Sequence, residues 1–452
     1  MLTRDQVRRA HIAFNRFGLG AKPGGINRIG GDAKAALLAE LDTPGIARID
    51  SSGLPSYHWA CQRAHTTFEN EEGLKQNELS ARIDKHLEVE LGFVERLVLF
   101  FSNHFSMSIN KDGVIRATIG QLERDVIRRH VLGSFKSMLL GVMQHPAMIA
   151  YLDNADSIGP TSPIGISWGV GLNHNLAREI LELHTVGVGG GYTETDIDAL
   201  AKVISGWSFV RGWEADSHYN DGNPQNRCEF IFRRDWHEPG AQTILGKTYS
   251  QTGIRQGEAV LARLADHPST AQFLAFKLVR HFITDTPTPA QVDPVARAYT
   301  RSGGKIVAMA RALLNLADAW SQPMNKLRTP YELQIAEMRA MSRQYRQDQR
   351  WPFDSVLYEL RNMPWERSAP DGYPEETPYW SAPDAMRIRV ETAQMNAWSL
   401  LQIRPYEPTA PQLAKRLFAS ALAPESRDII GQATTKEDGL AMLFMTPEFQ
   451  RR

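Results

Sequence analysis

Between Asn173 and Trp207 the chain gathers, in one short run, residues that could move protons. The run reads NHNLAREILELHTVGVGGGYTETDIDALAKVISGW. At 100° per residue, Asn175, Arg178, Glu179, Glu182 and Thr185 share one side of a helix, and Leu176, Ala177, Ile180, Leu181 and Leu183 share the other. Arg178 and Glu182 stand four residues apart and are expected to pair. The chemistry such a set suits is hydrolysis: a carboxyl group protonates a leaving oxygen while a second carboxylate or a water completes the step. Glu182 is the expected acid, Arg178 its orienter, Glu179 its neighbour, and Asp196 or Asp198 the second carboxylate. Two plainer readings of the same stripe are a solvated charged face and an Arg–Glu network bracing the glycine-rich turn that follows.

A second constellation is made of histidines. His104, His184 and His237 sit among polar residues, and imidazoles with carboxylates nearby could hold a divalent ion with an open position for water. His104 and His184 are the candidate ligands. Against this, no His-Glu-x-x-His occurs, and His184 falls toward the apolar side of its helix, where a histidine is usually a hydrogen-bonded core residue. Asn103, Asn154, Asn173, Asn175 and His237 are the candidate binding residues.

Two apparent nucleotide motifs fail on context. Ala241–Thr248, AQTILGKT, formally fits a permissive phosphate loop, but such a loop opens directly into a helix whose N-terminus holds the anion. Here the next convincing helix starts only near Arg255. The glycines from Gly187 to Gly191 follow a helix rather than a strand, so a helix C-cap explains them better than a dinucleotide loop. No nucleotide is expected, and neither cysteine stands in a motif of an activated nucleophile.

Positioning these residues falls to helices. Helical periodicity covers 33–42, 67–104, 113–144, 175–186, 194–206, 255–265, 269–283, 288–301, 304–317, 329–345, 383–402, 409–421 and 435–445. Thr193 or Thr195 is the expected N-cap before Asp196. His145-Pro146 and His267-Pro268 each precede an apolar helix, and proline suits a first helical turn because its missing N–H has no intrahelical partner there. The expected fold is mainly α: one large helical domain over 1–452 with two irregular excursions, at 210–254 and 346–382. The only β element expected is a small hairpin around Cys228–Phe232 and Thr243–Tyr249. Trp207, Trp213, Trp236, Trp351, Trp365 and Trp380 cluster around the excursions, as a carbohydrate or partner platform or as caps on the core.

Composition narrows the partners. The chain has 452 residues, with 51 Lys+Arg against 51 Asp+Glu, so net charge makes no case for nucleic acid or an anionic membrane. Hydrophobic content of 42% and charged content of 23% are ordinary for a globular chain. No run approaches the roughly 18 apolar residues of a membrane span. The N-terminus lacks the apolar core of a secretory signal, so the expected compartment is the cytoplasm, with the periplasm as the alternative for a co-exported passenger. Cys61 and Cys228 are the only cysteines, too few for a disulfide scaffold or a cysteine zinc site.

Ordered motifs along nearly the whole chain resemble the bacterial domain-of-unknown-function family numbered 1800. They are Asn15-Arg16-Phe17-Gly18-Leu19-Gly20, Asn103-His104-Phe105, His145-Pro146-Ala147-Met148, Tyr151-Leu152-Asp153-Asn154, His237-Glu238-Pro239-Gly240, His267-Pro268 and Pro447-Glu448-Phe449-Gln450-Arg451. The family's hallmark falls on the Asn173–Trp207 run. Two departures stand out. The family commonly has His-Asp and a later Lys where this chain has His237-Glu238 and Gln242. It commonly has Asp-Gly-Trp-Pro where this chain has Asp371-Gly372-Tyr373-Pro374. The resemblance brings no firm activity. It implies a partner, since members tend to be encoded beside sulfatase-like proteins of the family numbered 1501. The expected function is a Glu-centred hydrolase of an envelope or extracellular polymer. The alternatives are a non-catalytic partner of a sulfatase-like protein, and a metal-binding protein or metal-assisted hydrolase.

Overall fold

The computed structural model describes residues 2–64, 67–211, 228–342, 350–403 and 409–452, so Trp213 lies outside the described residues. The chain is mainly α-helical, with two antiparallel two-stranded ribbons among the described residues. Hydroxyl side chains start many of the helices. Thr3 accepts from Gln6 N and closes a capping box before α1 (Arg4–Ile12). Ser56 caps α2 (Tyr57–Arg63) and Thr67 caps α3 (Phe68–Glu88).

The single helix expected over 67–104 is two. The chain breaks between α3 and α4 (Phe93–His104), and Gly92 there takes φ +88°. A Cβ at Gly92 would also stand 2.9 Å from Leu19. Residues 113–144 likewise divide, into α5 (Gly113–Leu122), a π-helical turn at Glu123–Ile127, a short turn, and α6 (Phe135–Met143). Then come α7 (Pro146–Tyr151), α8 (Pro163–Trp168), α9 (Asn175–Glu179) and α10 (Glu194–Val203). The two His-Pro motifs share one chemistry. His145 Nδ1 accepts from Ala147 N at 3.1 Å and His267 Nδ1 from Ser269 N at 3.2 Å. Each imidazole is thus the N-cap of a helix that has proline in its first turn.

The first excursion holds three of the four strands and β1 lies just before it, with a pairing that differs from expectation. β1 (Trp207–Phe209) pairs with β2 (Phe230–Phe232), Ser208 opposite Ile231. β3 (Gln242–Ile244) pairs with β4 (Lys247–Tyr249). Leu245 and Gly246 between them have φ +48° and +72°, as a type I′ turn requires. Lys247 and Thr248 therefore lie on a strand of a tight hairpin.

Helices resume with Ile254–Ala265 and go on through α11 (Pro268–Phe282) and α12 (Pro330–Ala340). The second excursion is less irregular than expected, because α13 (Arg350–Glu359) lies inside it. Its apolar content, read through flanking prolines, masked that helix. α14 (Pro383–Ile403) and α15 (Lys436–Met445) follow. One cluster of buried apolar residues runs from Val7 to Phe449, joining the N-terminal helix to the C-terminal ones. No helix among the described residues is long and apolar enough to cross a membrane.

Candidate functional site

The hallmark run begins with an Asx turn: Asn173 Oδ1 accepts from Asn175 N at 2.8 Å and so starts α9. The α-helix lasts only to Glu179. Ile180–His184 is π-helical, and Thr185 closes it by donating to the Ile180 carbonyl at 2.6 Å. A π turn carries an extra residue, which breaks the 3.6-residue rhythm, and such turns are frequent at functional positions. Gly187 follows with φ +82°, and a Cβ there would stand 2.7 Å from the Phe273 ring. The glycine-rich turn can approach α11 only without a side chain at this position.

The two glutamates of the polar stripe differ sharply. Glu182 is engaged: Arg178 Nη1 pairs with it at 3.2 Å, and after burial it raises the pKa of the Tyr192 hydroxyl to about 12. Arg178 also grips Glu194, in the first turn of α10, at 2.9 and 2.7 Å. This bidentate clamp spans the glycine-rich turn. Glu179 is half-buried, and its Oε2 is buried with no hydrogen-bond partner. Burial, aided by the charges of Glu182 and Asp371, raises its pKa to about 7 against the pull of Arg178. Tyr151 feels the same carboxyls: burial first, then Glu179 and Asp371, push its hydroxyl up to about 12.

Asp371 comes from the loop that the family resemblance marked as a departure. Asn103 holds that loop, accepting from Tyr373 N at 2.7 Å and donating to the Tyr373 carbonyl at 3.0 Å. Tyr373 in turn donates to the Met363 carbonyl at 2.6 Å, so the residue is structural, as a space-filling aromatic would be. Lys277 of α11 also feels the Asp371 charge. Burial and the neighbouring Arg280 lower its pKa to about 8, while Glu375 and Asp371 oppose them. Glu179 and Lys277 thus both feel the charge of Asp371, an influence that sequence spacing could not show.

His104 and His184 lock the end of α4 to the π turn. His104 Nε2 lies 3.2 Å from the His184 carbonyl, and His184 Nδ1 lies 3.1 Å from the His104 carbonyl. Each must carry its proton on that nitrogen. His104 Nδ1 then accepts from Lys277 Nζ at 3.0 Å. Burial holds both rings neutral, His184 down to about 3. Only His184 Nε2 is left without a partner. One free nitrogen is not a donor set for an ion shared by the two rings, so these residues do not fit the metal expected of them. Among the described residues no three His, Cys, Asp or Glu side chains gather as a metal site would need.

The remaining candidates are placed as follows. Asp196 accepts from Thr193 N and Oγ1, both at 2.8 Å, and from Leu245 N at 2.7 Å. It closes the α10 capping box and pins the β3–β4 turn, so both oxygens are spent on structure. Asp198 bonds His174 and Lys202 on the surface. Asn154 is fully buried and donates to the Trp207 carbonyl at 2.9 Å. His237 Nδ1 lies 3.1 Å from the Ser205 carbonyl. Its neighbour Glu238 is buried and accepts from Thr161 N and Oγ1 at 2.9 and 2.8 Å, an anchoring role. Asn175 is exposed at the start of α9.

Behind the Asp371 loop lies a feature the sequence did not announce: a buried ion network. Arg96 pairs with Glu332 at 3.1 Å and meets His281 Nε2 at 2.9 Å. His281 Nδ1 reaches Glu375 at 2.9 Å, and Arg452 bridges Glu332 and Glu375 at 2.9 and 3.3 Å. A second set joins Arg128 to Glu95 at 2.9 Å and Arg82 to Glu123 at 3.1 Å. A small cavity between the sets is walled by Arg82, Ser102, Tyr331, His281 and Glu375. Periodicity could not reveal these charges, because most lie on helices whose apolar neighbours dominate the pattern, while Glu375 and Arg452 stand outside any helix.

The chain is thus mainly helical, with a half-buried carboxyl, Glu179, at the junction of an α-helix and a π-helical turn. The chain belongs to the family described as "Protein of unknown function (DUF1800)", which it matches over residues 12–451. No curated protein and no solved structure matches it.

Proposed function

We propose that this chain is a hydrolase of an envelope or extracellular polymer, with Glu179 as the group that transfers the proton. One observation carries this reading: Glu179 keeps a buried, unpartnered carboxyl oxygen and a pKa of about 7. A general acid works best when its pKa lies near the working pH. The protonated carboxyl of Glu179 would donate to the leaving oxygen, and the resulting carboxylate would take a proton back from the attacking water. Asp371 is the second carboxylate of this scheme, while Arg178, Glu182, Tyr192 and Glu194 hold the turn in place. A polymer substrate is favoured by Trp168, which is 55% exposed and stands edge-on to Trp236 at 6.1 Å, an apolar face of the kind sugar rings stack on.

The same surface favours a second reading. Ile166, Trp168 and Val170 are 71%, 55% and 41% exposed within five residues, an apolar strip that a sulfatase-like partner exported with this chain would cover. The experiment is Glu179→Gln, read in two ways. A raised folded pKa contributes stability below the unfolded value of 4.5 that is lost as pH rises through about 7. The variant should therefore melt higher than wild type at pH 8, and the difference should vanish below pH 4.5. Against fractionated envelope polysaccharides, it should also lose the reducing-end release that wild type gives. A melting difference independent of pH refutes the perturbed carboxyl. A perturbed carboxyl with no release by wild type, and co-purification abolished by Trp168→Ala, favours the partner.

A further inference from the structure

Cys61 and Cys228 are the only cysteines of the chain, 167 positions apart, and the fold brings them together. Cys61 ends its turn on α2, and Cys228 leads into β2. Cys228 Sγ donates to the Cys61 carbonyl oxygen at 3.8 Å, and the Cys228 thiol adds to burial in raising the pKa of the Cys61 thiol. Both are buried, at 0% and 2% exposure, in a small apolar cluster separate from the main core, with Ala60, Leu74, Val114 and Phe209. Two further details converge on the pair. Cys228 has φ +60°, a left-handed conformation that a side chain other than glycine, asparagine or aspartate rarely adopts. The Tyr57 hydroxyl donates to the Cys228 carbonyl at 2.7 Å and pulls the pKa of the Cys61 thiol down against burial. A lone buried cysteine is adequately explained as a small apolar residue. Two facing thiols, one on a backbone bent into an uncommon region, ask for more.

We propose that Cys61 and Cys228 are the two halves of an intramolecular disulfide, formed when the chain folds in the presence of a disulfide oxidant. The bond would staple α2 to the β1–β2 ribbon. In the reaction, one cysteine thiolate attacks the S–S bond of the oxidant, giving a mixed disulfide and releasing one thiolate. The second cysteine loses its proton, and its sulfur attacks the protein-bound sulfur of the mixed disulfide. The Cys61 Sγ–Cys228 Sγ bond forms and the second thiolate leaves. The protein gives up two protons and two electrons, and the oxidant takes them up as two thiols.

Burial sets the timing. The thiolate is the reacting species, and burial pushes the Cys61 thiol far above its usual range. Exchange must therefore run before the cluster closes. A bond made in time is then out of reach of reductants, and a dithiol that folds reduced is slow to oxidise. Persistent disulfides belong to oxidising compartments. The inference thus favours maturation outside the cytoplasm, and it is independent of the role given to Glu179.

The test uses the full chain. Reduced, denatured protein is refolded by dilution into buffer with oxidised and reduced glutathione, then alkylated in denaturant and mapped by mass spectrometry without reductant. The expected product is a cross-linked peptide pair containing Cys61 and Cys228, two hydrogens lighter than the separate peptides and split by dithiothreitol. The oxidised protein should melt several degrees above the reduced one. A Cys61→Ala/Cys228→Ala double variant should melt alike in both buffers, which ties the shift to the bond. Two alkylated thiols, or a glutathione adduct on each cysteine, would overturn the proposal. Should dilution refolding fail, the same map of chain made by cell-free translation with oxidised glutathione decides between these outcomes.

Discussion

His145→Asn isolates the pH dependence that a buried capping histidine imposes. In the wild type, His145 Nδ1 accepts from Ala147 N at 3.1 Å, so the ring must be neutral to cap α7. Burial lowers its pKa to about 3 from the usual 6.5. A depressed folded pKa means that the unfolded chain binds the extra proton. Stability is therefore complete above pH 6.5 and is lost as pH falls toward 3. At pH 5 the gap below the unfolded value is 1.5 units, and at about 1.36 kcal/mol per unit the wild type loses on the order of 2 kcal/mol from this one group. Asparagine is an equally good N-cap and does not titrate. The variant forfeits the edge-on contact of the ring with Tyr57, at 5.4 Å, but by the same amount at every pH. Urea unfolding at pH 7 and pH 5 measures both proteins, with m unchanged. The wild type should lose about 2 kcal/mol more than the variant between the two pH values. Other groups titrate in this window too, the raised carboxyl of Glu179 among them, and the comparison cancels them. A difference between the proteins that is the same at both pH values would refute the assignment of a neutral, buried cap.

Two further predictions concern the site and the network behind it. Asp371→Asn removes one of the charges that raise Glu179, so the pKa of Glu179 should fall below about 7. The alkaline limb of any pH–rate profile should move to lower pH, and an unmoved limb would separate Asp371 from the acid. Glu332→Gln strips a buried carboxylate from Arg96 and Arg452, which hold it at 3.1 and 2.9 Å. The variant should lose about 3–5 kcal/mol in chemical unfolding, since a buried guanidinium left without its partner is strongly destabilising. A loss within the range of a surface ion pair would mean that water reaches this network.

Helices were legible where one face stayed apolar over several turns, as in α10, α11 and α15. They were misjudged where backbone geometry rather than pattern decided. Gly92 splits the long run over 67–104 because its left-handed φ starts a new helix beside Leu19. The ribbons were half legible: Thr243–Tyr249 closes on its own turn, whereas Phe230–Phe232 pairs with Trp207–Phe209, across a gap that no local signal spans. The His-Pro motifs were read correctly as helix starts, but that the imidazole itself is the cap needed coordinates.

The site shows the same division more sharply. Helical spacing placed Arg178, Glu179 and Glu182 on one side and foresaw the Arg178–Glu182 pair, found at 3.2 Å. It could not rank the two glutamates, and it favoured Glu182 as the acid. The ranking depends on which partners arrive from elsewhere. Tyr192 and the clamp between Arg178 and Glu194 come from beyond the glycine-rich turn and occupy Glu182. Asp371 comes from a loop almost two hundred residues away and burdens Glu179 instead. The carboxyl that is left half-buried, short of one hydrogen bond and crowded by like charge is the one least stable as an anion. Under the proposed hydrolase reading, that cost to the folded state is what a group kept for proton transfer would carry, since a purely structural position would favour glutamine.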